Sequence, residues 1–83
     1  MVAIEWTLQA LEDVDEIAKF IKRDSPKYAQ IIAQNIFHSV DRLKRFPRSG
    51  RKIPEFDNEF LREVLMDNYR VMYLLTDKTV FVF

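Results

Sequence analysis

Apolar positions change period along this chain, and the changes divide it into elements. Val2 to Trp6, "VAIEW", alternates like a short strand. Leu11, Val14, Ile17, Ala18 and Ile21 then recur at helical spacing, with Thr7 placed to cap the start. Ser25 before Pro26 predicts a second N-cap, followed by proline at the first helical position, where a missing N–H costs nothing. Ala29, Ile32, Ala33, Ile36, Phe37, Val40 and Leu43 form the stripe of that second helix. It must stop near Phe46, because Pro47 cannot continue the hydrogen-bond ladder.

Beyond the proline the period falls to two. "FLREVLM", "YRVMYLL" and "TVFVF" are rich in β-branched and aromatic residues, and the breaks "DN" and "DK" between them are the size of turns. The expected order is β-α-α-β-β-β: an α+β, two-layer domain in which a helical hairpin covers one face of an antiparallel meander. Strand alternation sets Arg70, Met72 and Leu74 on the face opposite Tyr69, Val71 and Tyr73. One of those faces must lack the helices: Arg70 is either a fork for phosphate or carboxylate on that open face, or the partner of Glu63 or another acid across the ladder.

Composition narrows the chemistry. Eighty-three residues, 48% of them hydrophobic, make residues 1–83 a single small domain, one that buries roughly 60% of its unfolded surface and gains from a partner. With no cysteine, disulfides, thiolate zinc sites and thiol nucleophiles are excluded, which suits a reducing cytoplasm. One glycine is too few for a dinucleotide fingerprint or a phosphate loop. The one histidine, His38, sits about 200° around the helix from Ile36 at 3.6 residues per turn and is expected on the surface. No cofactor or metal is expected, and no apolar run reaches the roughly 20 residues of a membrane span.

Net charge is zero, but the signs are blocked. Residues 1–16 hold five acids and no base, residues 42–52 hold six bases and no acid, and residues 53–67 hold five acids against Arg62. Four of those bases lie in "RFPRSGRKIPEF", where Pro47 and Pro54 stiffen the backbone and Gly50 is expected to allow a tight turn. This loop serves as a connector, and Arg48, Arg51 and Lys52 are its candidates for meeting an acidic partner. The flanking acids argue against simple nucleic-acid binding.

Trp6 and Thr7 opening a helix, Ala10 and Asp13, Ser25 and Pro26, then "FPRSGR", "PEF", "REV" and "YRVMY" resemble, in this order and spacing, the RelE/ParE toxin superfamily, its ParE-like branch in particular. The resemblance covers almost the whole chain. It implies the toxin half of a type II toxin–antitoxin pair, cytoplasmic, held inactive by a cognate antitoxin protein. ParE-like members poison DNA gyrase, whereas RelE-like members cut messenger RNA on the ribosome. Arg70 matches an arginine that serves as a cation in the RelE-like nucleases, with Arg62 beside it as a second candidate. Those nucleases add lysines where this chain has Leu61, Glu63 and Leu65, so the gyrase reading leads and the nuclease is its alternative. Relatives also continue past the last strand. A shortened relative that binds antitoxin without toxicity is the third reading, with Val80–Phe83 expected as an uncovered edge prone to self-association.

Overall fold

Thr7 and Ser25 start the two helices as their positions predict. In the computed structural model, which describes residues 1–83, the Thr7 hydroxyl accepts from Ala10 N at 3.1 Å and the Ser25 hydroxyl from Tyr28 N at 3.1 Å. Strand β1 (Ala3–Trp6) leads into α1 (Leu8–Lys22), and α2 (Pro26–Asp41) returns against it. A single 3₁₀ turn, Arg42–Lys44, carries the chain toward Pro47. There follow β2 (Arg51–Lys52), β3 (Leu61–Met66), β4 (Tyr69–Leu75) and β5 (Thr79–Val82).

The strands form one five-stranded sheet in the order β1-β5-β4-β3-β2. Strands β3, β4 and β5 are the expected antiparallel meander, and β1 pairs parallel to β5, with Ala3 opposite Thr79 and Trp6 opposite Val82. That pairing corrects one expectation. Val80–Phe83 is not an uncovered edge: β5 lies between β1 and β4, paired along both of its edges, and Val80 is 0% exposed and Val82 1% on the helix-facing side. Self-association through this strand therefore has no free ladder to use; the edges are β1 and the two-residue β2. The helical hairpin packs on one face, where Ile32, Ile36, Val40 and Leu43 meet Val71, Tyr73, Leu75, Val80 and Val82. Leu11 and Phe37 belong to the helical stripes by spacing but lie at their margins, each 41% exposed, and Phe37 packs on Trp6 with ring centroids 4.9 Å apart.

The loop from Arg45 to Phe56 is stiff, though not for every expected reason. Tyr73, fully buried on the helix-facing side of β4, donates its hydroxyl to Pro47 O at 2.6 Å and accepts from Gly50 N at 3.2 Å. Gly50 does not use a left-handed conformation. Glycine is required because a Cβ there would lie 2.6 Å from the Tyr73 hydroxyl and 2.7 Å from Glu63 O. Burial holds the Tyr73 phenol above its usual pKa of 10.0, since the charged form would be desolvated. A group with a raised folded-state pKa favours folding below its unfolded pKa and loses that contribution as pH rises through the folded value. Tyr73→Phe is accordingly expected to cost about 1–3 kcal/mol at neutral pH, by leaving the Gly50 N–H and Pro47 carbonyl unpaired. It should also remove the part of the stability loss above pH 10.0 that Tyr73 contributes, a difference that urea titrations of both proteins across that range will read.

Candidate functional site on the open face of the sheet

Because successive strand residues point to opposite faces, the face without helices is defined by the partners of Arg70, Met72 and Leu74. Pairing places Leu65 opposite Arg70, Glu63 opposite Met72 and Leu61 opposite Leu74, and Phe81 of β5 lies opposite Leu74 on the other side. Leu61, Glu63 and Leu65 thus share this face with Arg70. Short as it is, β2 adds one more residue by setting Arg51 directly opposite Glu63.

At the centre Glu63 is a buried carboxylate between two cations, its side chain 0% exposed. Arg51 donates from Nε to Glu63 Oε2. Arg70 Nε lies 2.8 Å from Glu63 Oε1, an ion pair on the other oxygen of the same carboxylate. The outer edge of Arg70 turns to the loop, where Nη2 is 2.8 Å from Glu55 Oε2. Arg70 lowers the Glu55 pKa, chiefly by hydrogen bonding, and the Arg70 pKa is raised in return, chiefly by Glu55. The order Arg51–Glu63–Arg70–Glu55 alternates in sign, with Met72, Leu74 and Leu65 around it. The expectation that Arg70 pairs with Glu63 holds, and Glu55 is a second partner.

The other candidates lie apart from this centre. Arg62 is opposite Tyr73 on the helix-facing side, so it and Arg70 stand on opposite faces of the sheet. Its guanidinium binds backbone: Nε to Glu59 O at 2.9 Å, and Nη1 to Gly50 O at 2.9 Å and Arg48 O at 3.3 Å. Arg62 is a clamp on the loop. Lys52 pairs with Asp57 at 3.1 Å in solvent, and the Arg48 guanidinium carbon lies 6.0 Å from the centre of the Phe60 ring. His38 is exposed on α2, beside Asp41, Lys44 and Phe37. No group of three or more histidine, cysteine, aspartate or glutamate side chains is placed to hold a metal, and no helix is long and apolar enough to cross a membrane.

Glu55 is the site residue that sequence reasoning missed. One signal was available: it is the acid that follows the rigid Ile53-Pro54 segment, in a loop too short to lie far from the strand beside it. Chemically, the face offers two partly exposed guanidiniums, Arg51 and Arg70, each paired with a carboxylate, beside the apolar side chains of Leu65 and Met72.

Three likenesses bear on this arrangement. The sequence profile described as "ParE toxin of type II toxin-antitoxin system, parDE" matches residues 4–83. A Sinorhizobium fredii (strain NGR234) protein carrying the name "Putative toxin Y4kP" is 44% identical over 48 residues, which is 58% of this chain; the chain spans about half the length of that relative. A solved structure titled "Chromosomal ParDE TA system from P. aeruginosa" superposes with a TM-score of 0.78 at 20% identity, covering 99% of this chain and 90% of the other, a likeness of fold.

Proposed function

Because the chain belongs to the ParE toxin family of type II toxin–antitoxin systems, we propose that it is a toxin that poisons DNA gyrase in the cytoplasm and is neutralised by a cognate antitoxin. The family match over residues 4–83 is the observation that carries this reading. The chemistry of the open face supports gyrase over messenger RNA as target. Cutting RNA beside a 2′-hydroxyl calls for a base, an acid and free cations around the phosphate. Arg70 is instead tied to the buried Glu63 on β3, and Met72 and Leu65 lie beside it. A protein target needs contact surface rather than proton transfer, and Arg48, left without an acidic partner, remains the loop's best candidate for reaching it.

Neutralisation by an antitoxin agrees with the apolar surface the domain leaves open. Leu8 and Leu11 on α1 and Tyr28 and Ile31 on α2 are all at least 40% exposed. A disordered partner segment that folds on contact would cover such a surface. Expressing the chain alone should arrest growth, and adding the small protein encoded beside it should relieve the arrest and raise the melting temperature of the purified toxin by mass action. A freely growing culture with no effect of the neighbouring gene product would overturn the reading.

A further inference from the structure

Arg70 is held by two carboxylates of different kinds. Glu63 is fixed, fully buried on β3 and shared with Arg51. Glu55 is exchangeable: its side chain is 55% exposed, and it rides on the Ile53–Phe60 loop rather than on the sheet. The backbone ties near it are Ile53 N to Leu61 O and Phe56 N to Ile53 O, so the loop is anchored beside Glu55 and not through it. Leu65, 54% exposed, lies opposite Arg70, with Met72 beside it, and farther along the same face Leu61, Leu74 and Phe81 are partly exposed.

We propose that Glu55 is an internal stand-in for a carboxylate of a partner protein: an extended segment with one carboxylate flanked by apolar side chains lies on the open sheet face, displaces Glu55 and takes the outer edge of Arg70. The partner chemistry follows from the charges. A polyanionic nucleic acid would bring several phosphates to a face that already carries Glu63 and Glu55, and Asp57 at its border, and would leave Leu61, Leu65, Leu74 and Phe81 uncovered. One carboxylate between apolar residues matches both the single exchangeable valence and the apolar frame. The swap exchanges one short ion pair for another, so it costs little in charge desolvation, and the added burial of the apolar rim favours the incoming segment. With Glu55 in place the guanidinium is protected from unrelated anions, which gives the face selectivity by competition. The inference deepens the reading of the chain as a partner-bound toxin and rests on it for the biological source of that segment.

The test needs neither antitoxin nor gyrase, so it can fail independently of the toxin reading. The Arg70 Nε–H resonance is followed by NMR as a capped Ser-Leu-Glu-Leu-Ser peptide, its Gln counterpart, or inorganic phosphate is added to the wild-type chain and to Glu55→Gln. The Glu peptide is expected to shift the resonance, with affinity about fivefold higher for Glu55→Gln, the factor that an exposed ion pair can supply. The Gln peptide and phosphate should bind more weakly than the Glu peptide to both proteins. Adding Arg70→Lys to Glu55→Gln should abolish the advantage of the Glu peptide over the Gln peptide, because a lysine lacks the planar fork. Equal affinity of the two proteins, no binding to either, or phosphate binding as tightly as the peptide would overturn the proposal, the last in favour of a nucleic-acid ligand. Loss of the fold in Glu55→Gln would overturn it too, by making Glu55 a structural tie.

Discussion

Replacing Arg51 and Arg70 together by glutamine should strand Glu63 and unfold much of the population at physiological temperature. A buried carboxylate left without its cations costs about 3–5 kcal/mol, and for a domain of this size each kcal/mol lowers Tm by about 4–8 °C. Either single substitution should cost much less, since Glu63 keeps the other arginine and each guanidinium is partly in solvent, 56% exposed for Arg51 and 40% for Arg70. The effects are therefore expected to be more than additive, as for groups that share one partner. Adding Glu63→Met to the double variant should restore most of the loss, because a side chain of similar volume fills the space without a charge to desolvate. Urea unfolding of the four variants checks this. Additive singles, or a triple variant no better than the double, would mean that Glu63 is not held by these two cations.

Gly50→Ala should be comparably damaging by a different route. The new methyl carbon would lie 2.6 Å from the Tyr73 hydroxyl, 2.8 Å from Tyr73 Cε1 and 2.7 Å from the Glu63 carbonyl oxygen. Tyr73 is 0% exposed and cannot swing away, and the carbonyl belongs to β3. Relief requires the loop to lift, which breaks the Gly50 N to Tyr73 hydroxyl bond and the Arg62 clamp on Gly50 O. Overpacking alone costs about 1–3 kcal/mol, and the lost buried hydrogen bonds add about 1–3 kcal/mol more. Combining Gly50→Ala with Tyr73→Phe should cost less than the sum of the two, since the phenylalanine removes the closest contact. The comparison of thermal unfolding enthalpies and midpoints for the single and double variants decides this; strict additivity would show that the glycine serves something other than close approach.

Local signals carried most of the fold. The Thr7 and Ser25 caps, the two helical stripes and the three period-two runs mark elements where the structure has them, because each depends on residues within a few positions, whereas the second helix ends at Asp41 and passes through a 3₁₀ turn before the expected stop near Phe46. What could not be read was the partner of β1. A parallel neighbour joined across more than 70 residues leaves no mark in either strand beyond an apolar run, so "TVFVF" looked like an exposed end when it is the sheet's second strand. The two-residue β2 was hidden for the opposite reason, being too short to show a period. At the candidate site, alternation was enough to set Arg70 on the face opposite Tyr69, Val71 and Tyr73, but which face the helices leave open and that Glu63 is its partner are tertiary facts. It was also enough to separate Arg62 from Arg70 once the register Arg62 to Tyr73 and Leu65 to Arg70 was known, and register is a tertiary property. Glu55 reaches Arg70 from a loop, and Gly50 answers to the size of Tyr73 rather than to a turn; neither fact has a periodic signature.

The loop that first stands out in the sequence thus serves two purposes with separate residues. Pro47, Gly50 and Arg62 tie its backbone to Tyr73 and β3, while Arg51, Lys52 and Glu55 build the charge pattern at the border of the open face. Of the basic block, only part is available for contact, since Arg51 and Lys52 are already paired with Glu63 and Asp57. Charge counted along the chain overstates the positive surface that folding leaves.

The most direct measurement of the central claim is a supercoiling reaction with purified DNA gyrase, relaxed plasmid and this protein, run beside a translating ribosome system containing the same protein. Gyrase is expected to be hindered and cleaved plasmid to accumulate in proportion to the toxin, while the messenger RNA on the ribosomes stays intact. Undisturbed supercoiling together with new cuts in ribosome-bound messenger RNA would contradict it and move the chain's activity to nucleolytic attack.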